Sequence, residues 1–188
     1  ELIVGMIRQE AGIHQIPYSH IAIDAIGIGD NVARSPLLNG AIGFKSSYAP
    51  IKTDHSIIHL PNVGYLPNAP LVSEYSNLRS QCVFKLASLA NDHKIASRVT
   101  GVFQEKIVEE LPTYQDVSKG DGKRYATQKD DVKALIGRSP DHSDTFIMRM
   151  YFEILATVSN TEEETDTSLQ QKQMFRNNER RQSRNSTL

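Results

Sequence analysis

The sequence predicts an α/β domain, and three observations lead there. A β-branched apolar run at residues 20–26 carries an aspartate near its end, and a glycine turn and a short helical stretch then lead into a second apolar run at 41–45. Two long apolar-periodic patterns at 75–91 and 140–157 predict helices to cover a sheet. The chain has 188 residues, 39% of them hydrophobic, enough for one core. Its formal net charge of -1 gives no global pull toward nucleic acid, so such a partner would have to be met by locally gathered basic residues. The single cysteine, Cys82, cannot close an internal disulfide, which points to a reducing compartment. No apolar run approaches the roughly 20 residues that cross a bilayer, and no signal-peptide pattern is visible.

Taken in order, residues 2–10 suit the end of a helix, with Gly12 as its stop and Pro17 marking a turn. The chain enters this apolar stretch at once from Glu1, so it is expected to begin inside a longer protein. Ile21, Ile23 and Ile26 make residues 20–26 a strand, closed by the turn Gly27-Ile28-Gly29-Asp30. The short helix that follows should end or kink at Pro36, ahead of the second strand. Residues 46–72 form a long connection rich in Pro, Asn, Ser and His, with room for a hairpin around Ile57–Leu66. In the 75–91 helix, Leu78, Cys82, Leu86 and Ala90 share a face, with Arg79 and Lys85 pointing elsewhere. Residues 105–111 fit helix or strand, 115–122 a polar turn, and 123–127 a short strand. Thr127 with Asp130 reads as a capping box, and Gly137 as the stop of that helix. Ser139 is the expected cap of the final helix, with Pro140 at its first position. From residue 160 the composition turns polar, with separate acidic and basic blocks, and a disordered tail is expected.

Asp24 is the first residue with chemical promise. A carboxylate near the carboxyl end of a strand, followed by two glycines, stands at a sheet rim where backbone or phosphate can come close. The same aspartate would also serve as a plain turn cap. A dinucleotide-binding fingerprint is excluded, because its third glycine is Val32 here and no acidic residue ends a strand about 20 residues on. Asp141 and Asp144 lie three apart on the first turns of a helix and so share a face, with His142 beside them. Two converging carboxylates suit a hard divalent cation, and they equally suit the positive end of the helix dipole. Asp54, His55 and His59 lack zinc-site spacing, and His14, His20 and His93 read as surface or turn residues. Among the basic residues of 119–138, Lys129 and Arg138 are nearest the acidic cluster and are the best placed to meet phosphates.

Four segments in this order carry a resemblance: a strand ending in Asp24-Ala25-Ile26-Gly27-Ile28-Gly29, a helix opened by Asn77-Leu78-Arg79-Ser80-Gln81, then Lys129-Asp130-Asp131, then Gly137-Arg138-Ser139-Pro140-Asp141-His142-Ser143-Asp144. Together they resemble the nuclease half of phage large terminase subunits, over about residues 1–157. The resemblance implies an RNase H-like mixed sheet flanked by helices over residues 1–159, followed by the polar tail at 160–188. The family's first acidic ligand lies on an opening strand that residues 1–10 do not supply, so the fold is expected to be truncated at its N-terminus and weak or inactive alone. The implied activity is an endonuclease that uses two ions, Mg²⁺ or Mn²⁺, to cut concatemeric double-stranded DNA during packaging. Asp24 would then be the second acidic ligand and Asp141 the third, with Asp144 and His142 as neighbours of the metals. Implied partners are the terminase ATPase domain, the small terminase subunit and the portal protein, in the host-cell cytoplasm and without a membrane. No phosphate-binding G-x-x-x-x-G-K-[ST] motif occurs, so the ATPase half is not expected here. Two other readings stay open: another RNase H-like nuclease of resolvase or integrase type, and a non-catalytic DNA-binding or assembly module.

Overall fold

A computed structural model describes residues 1–52 and 74–158. The hairpin expected near Ile57–Leu66, the residues Asp54, His55 and His59, and the tail at 160–188 with Arg176, Arg180, Arg181 and Arg184 lie outside the described residues.

The first half is a β-α-β unit behind a leading helix. Helix α1 (Leu2–Ile13) is followed by a 3-10 turn at Tyr18–His20, strand β1 (Ala22–Asp24), helix α2 (Ile28–Ala33), a 3-10 turn at Pro36–Leu38 and strand β2 (Ile42–Phe44). Gly12 lies inside α1 and does not stop it; the chain turns instead at Gln15, whose φ is +53°. The strands pair in parallel, Ala22 opposite Ile42 and Asp24 opposite Phe44. β1 is shorter than the 20–26 run that encodes it: His20 closes the 3-10 turn, and Ala25 and Ile26 lie beyond the strand. As expected, α2 ends before Pro36; the Ser35 hydroxyl then accepts from the Leu37 amide to start the next turn.

The second half supplies helices. Helix α3 (Leu78–Asn91) is capped by the Asn77 carboxamide, which accepts from the Ser80 amide at 2.8 Å. Helix α4 (Val102–Glu110) settles the ambiguous 105–111 stretch as helix, and helix α5 (Lys129–Ile136) stops at Gly137 in the left-handed conformation, φ +74°. Helix α6 spans residues 141–158. Residues 123–127 make only isolated bridges, Arg124 to Tyr75 and Ala126 to Asp116, rather than a strand. Thr127 does not cap α5. Its hydroxyl is taken by the backbone of Gln115, as acceptor at 2.9 Å and donor at 3.3 Å, and Gln128 becomes the cap residue.

Two apolar clusters hold these pieces. Phe44 from β2, Leu78, Cys82, Val83 and Leu86 from α3, and Ile147, Met150 and Ile154 from α6 form the larger core. Val4, Val32 and Leu38 form the smaller one, pinning α1 over α2. Burying a side chain of this size contributes about 1.5–3 kcal/mol, against about 1 kcal/mol for a cap. Packing therefore sets where α3 and α6 lie, and capping only trims their ends. Cys82 is fully buried, and burial pushes its thiol up to about 12. Among the described residues, no helix is long and apolar enough to cross a membrane.

The turn after β1 tests the backbone logic. Gly27 has φ +64° and ψ -123°, a conformation closed to residues with a side chain. A Cβ on Gly29 would stand 1.7 Å from the carbonyl oxygen of Asp24. Gly29→Ala should lower unfolding free energy by about 1–3 kcal/mol, as forced overpacking does. At Gly12 an added Cβ meets nothing within 4 Å, so Gly12→Ala should be neutral or stabilise by up to about 1 kcal/mol, the helix-propensity gain. Urea-unfolding midpoints of the two variants check both.

Candidate functional site

β1 delivers Asp24 to the end of the small sheet, where it is exposed and its carboxylate makes no hydrogen bond or close ion pair among the described residues. The tight Gly27–Gly29 turn follows directly, and Gly29 packs against the Asp24 carbonyl.

The first turn of α6 delivers Asp141 and Asp144. Ser139 was expected to cap this helix, but its hydroxyl donates to the Asp141 carboxylate at 2.5 Å, and the Pro140 carbonyl accepts the Asp144 amide at 3.1 Å. The cap comes from elsewhere in the chain. Glu110, fully buried at the end of α4, accepts the Ser143 amide at 2.6 Å. It also pairs with Arg138 and lies 3.3 Å from Nδ1 of His142. Burial works to raise the Glu110 carboxyl, but the bonds from Arg138 and Ser143 and the charge of Arg138 outweigh it and hold the group below the usual glutamate range.

Asp144 is the most enclosed of the three aspartates. One oxygen accepts from Nη2 of Arg79 at 3.2 Å and lies 3.5 Å from the Tyr114 hydroxyl. The other meets Nζ of Lys129 at 2.6 Å. Arg79 is 8% exposed, contrary to its expected position off the packed face of α3. It also donates to the Thr127 carbonyl at 3.0 Å and to Tyr114 at 3.2 Å, with its guanidinium 5.1 Å from that ring. Lys129 reaches Asp141 at 3.7 Å. Burial works to lower the Lys129 ammonium; the bond and charge of Asp144, with the charges of Asp141 and Asp24, prevail and hold it above its ordinary value.

Lys129 thus joins Asp141 and Asp144, at 3.7 and 2.6 Å, while Asp24 bears on the ammonium through its charge alone. Among the described residues, however, no three His, Cys, Asp or Glu side chains come together as a group able to hold a metal ion. The donor chemistry fits a hard cation, since all three are carboxylates and a positive charge already sits among them. His142 turns Nδ1 to Glu110 and sets its ring 5.7 Å from that of Phe103. Arg138, expected at phosphate, is bound to Glu109 and Glu110. Glu110, Arg79 and Tyr114 escape sequence reasoning. Glu110 carried no signal, lying in a stretch of ambiguous type, whereas Arg79 sits one residue from Leu78 and Ser80 in a helix opening whose every polar group is buried.

Two outcomes follow. Arg79→Met leaves Asp144 with half its countercharge in a mostly buried position, and should destabilise by about 3 kcal/mol or more, as breaking a buried pair does; denaturant unfolding measures it. The Glu110 carboxyl lies lower in the folded than in the unfolded chain. Its contribution is therefore present above the unfolded value of about 4.3 and is lost as pH falls through the folded value. Wild-type stability should drop more steeply across that acid window than that of Glu110→Gln, by unfolding curves at stepped pH.

Among solved structures, the chain is similar to the nuclease domain of the large terminase subunit gp2 of bacterial virus Sf6, at 22% identity and a TM-score of 0.47, over 69% of this chain and 63% of that one. A lysine-to-alanine mutant of the same domain, solved with manganese and beta-thujaplicinol, aligns at 20% identity and a TM-score of 0.48 over the same shares. The chain therefore spans just under two thirds of the length of these domains. No family model and no curated protein matches it.

Proposed function

We propose that this chain is an RNase H-like nuclease domain, over residues 1–159 with a polar tail at 160–188, that belongs to a viral DNA-packaging terminase and cuts concatemeric double-stranded DNA. The observation that carries the reading is the pairing of Asp141 and Asp144, at a helix start, with the ammonium of Lys129, on which the charge of Asp24 at a strand end also bears. Metal-dependent phosphodiester cleavage needs oxygen donors brought from distant segments in this way. Asp24 and Asp141 would hold Mg²⁺ or Mn²⁺, with Asp144 beside them; the ions, when bound, polarise the phosphate and activate water. Asp24 and Asp141 are the exposed members and so can take a ligand directly. Asp144, gripped by Arg79 and Lys129, sets the field around them. Lys129 is placed to meet a phosphate of the double-stranded DNA, whereas Arg138 would first have to leave Glu109 and Glu110. The ATPase domain, small subunit and portal protein are the partners that this reading implies, in the host cytoplasm.

One observation favours a second reading, an assembly or DNA-binding module with a structural acidic cluster. Arg79 and Lys129 already neutralise Asp144, and the described residues hold no ready metal group. Two measurements separate the readings. Under the nuclease reading, Mn²⁺ raises the melting temperature, since a ligand at 100 times its dissociation constant stabilises by about 2.7 kcal/mol. The chain then nicks supercoiled plasmid with Mn²⁺, if slowly, and Asp24→Asn and Asp141→Asn each remove both effects. Nicking that survives both substitutions, or a melting temperature indifferent to Mn²⁺, would sink the nuclease reading.

A further inference from the structure

The first turn of α6 could have been capped locally. Ser139 precedes it, and a local serine cap contributes about 1 kcal/mol. The fold instead turns Ser139 to the Asp141 carboxylate and brings a carboxylate from 33 residues away into a fully buried position to take the Ser143 amide. Burying a charge is costly unless it is fully paired, and helix stability alone does not call for it. What a remote carboxylate adds is geometry, because it fixes the rotation of this turn relative to α4.

The contacts bear this out. Ser143 lies between Asp141 and Asp144 in the chain. Its amide is held by Glu110, and its hydroxyl bonds the Pro140 carbonyl at 3.1 Å and the Tyr114 hydroxyl at 3.0 Å. Tyr114 in turn touches Arg79 and Asp144. His142 is drawn to Glu110 by Nδ1, which keeps its ring on the α4 side of the turn, against Phe103. Thr113 ties off the end of α4 by donating to the Glu110 carbonyl at 2.6 Å, so the clamp stands on a fixed support.

We propose that Glu110 is a positioning residue: through Ser143 and His142 it sets the orientation in which Asp141 and Asp144 meet Lys129. The consequence for metal affinity rests on the nuclease reading; the orienting role does not. The experiment uses the whole chain and two readouts, nuclear magnetic resonance of the Ser143 amide and of the Asp141 and Asp144 carboxyl carbons, and Mn²⁺ affinity by electron paramagnetic resonance. Glu110→Gln should cost the Ser143 amide its downfield shift and exchange protection, move both carboxyl signals, and weaken Mn²⁺ binding about 10–100-fold, the range for outer groups that orient ligands. Glu109→Gln, at a residue whose ion pair among the described residues is with Arg138, should change neither. If Glu110→Gln fails to fold, Glu110→Asp keeps the charge for Arg138 while withdrawing oxygen from Ser143, and carries the same readouts. A folded Glu110 variant with unmoved aspartate signals and wild-type Mn²⁺ affinity overturns the proposal. A wild-type chain that binds no Mn²⁺, yet whose aspartate signals respond to Glu110→Gln, overturns the metal reading and supports the positioning role.

Discussion

The opening turns of α3 tie three other parts of the chain to one helix through buried polar contacts, on top of the apolar packing. Asn77 caps the helix, Arg79 reaches Asp144 and the Thr127 carbonyl, and the Ser80 hydroxyl accepts the Ala126 amide. The Gln81 carboxamide grips the Ile51 peptide in both directions, donating and accepting at 2.8 Å. The carbonyls of Ser46 and Tyr48 take the amides of Arg79 and Leu78. Five consecutive residues thereby fasten the chain after β2, the loop before α5 and the start of α6 to one helix. Arg79, Ser80 and Gln81 are all buried, and no buried side-chain polar atom among the described residues lacks a partner. A partly satisfied network of this kind would be worse than an apolar core. The network is therefore close to all-or-none, and it places Asp144.

This explains what could be read from the sequence. Periodicity locates α3 and α6, because Leu78, Cys82, Leu86, Ile147, Met150 and Ile154 pack by helical spacing. The glycines at 27 and 29 mark a turn whose backbone admits little else. Asp24, Asp141 and Asp144 are visible as carboxylates at element ends, where local chemistry is enough to single them out. What stays hidden is every contact made over distance. Thr127 looks like a cap and is claimed by Gln115; Ser139 looks like a cap and is claimed by Asp141; the actual cap, Glu110, gives no local sign of its role. Capping rules describe what a residue can do for its neighbours, and tertiary structure decides whether it is free to do so. Arg79 fails for the same reason. A basic residue in an amphipathic helix is assigned to solvent by pattern, whereas a buried partner on another helix overrides the pattern.

Charge weighs between the two functional readings. Asp141 and Asp144 meet the two cations Arg79 and Lys129, and the charge of Asp24, which bears on Lys129, leaves one negative charge over. Behind them Glu109 and Glu110 share the single cation Arg138, which leaves another. A cluster of this sign repels a phosphate backbone, whose binding depends on its neutralisation by cations. As a simple DNA-binding face the cluster is badly composed, since its basic residues are already paired. Added divalent charge would relieve the excess and give phosphate a reason to approach, although among the described residues the carboxylates do not converge as a ready metal group. The acidic surplus therefore weighs against a module that holds DNA by side chains alone, and it makes the response to Mn²⁺ the measurement on which the proposed nuclease reading stands or falls.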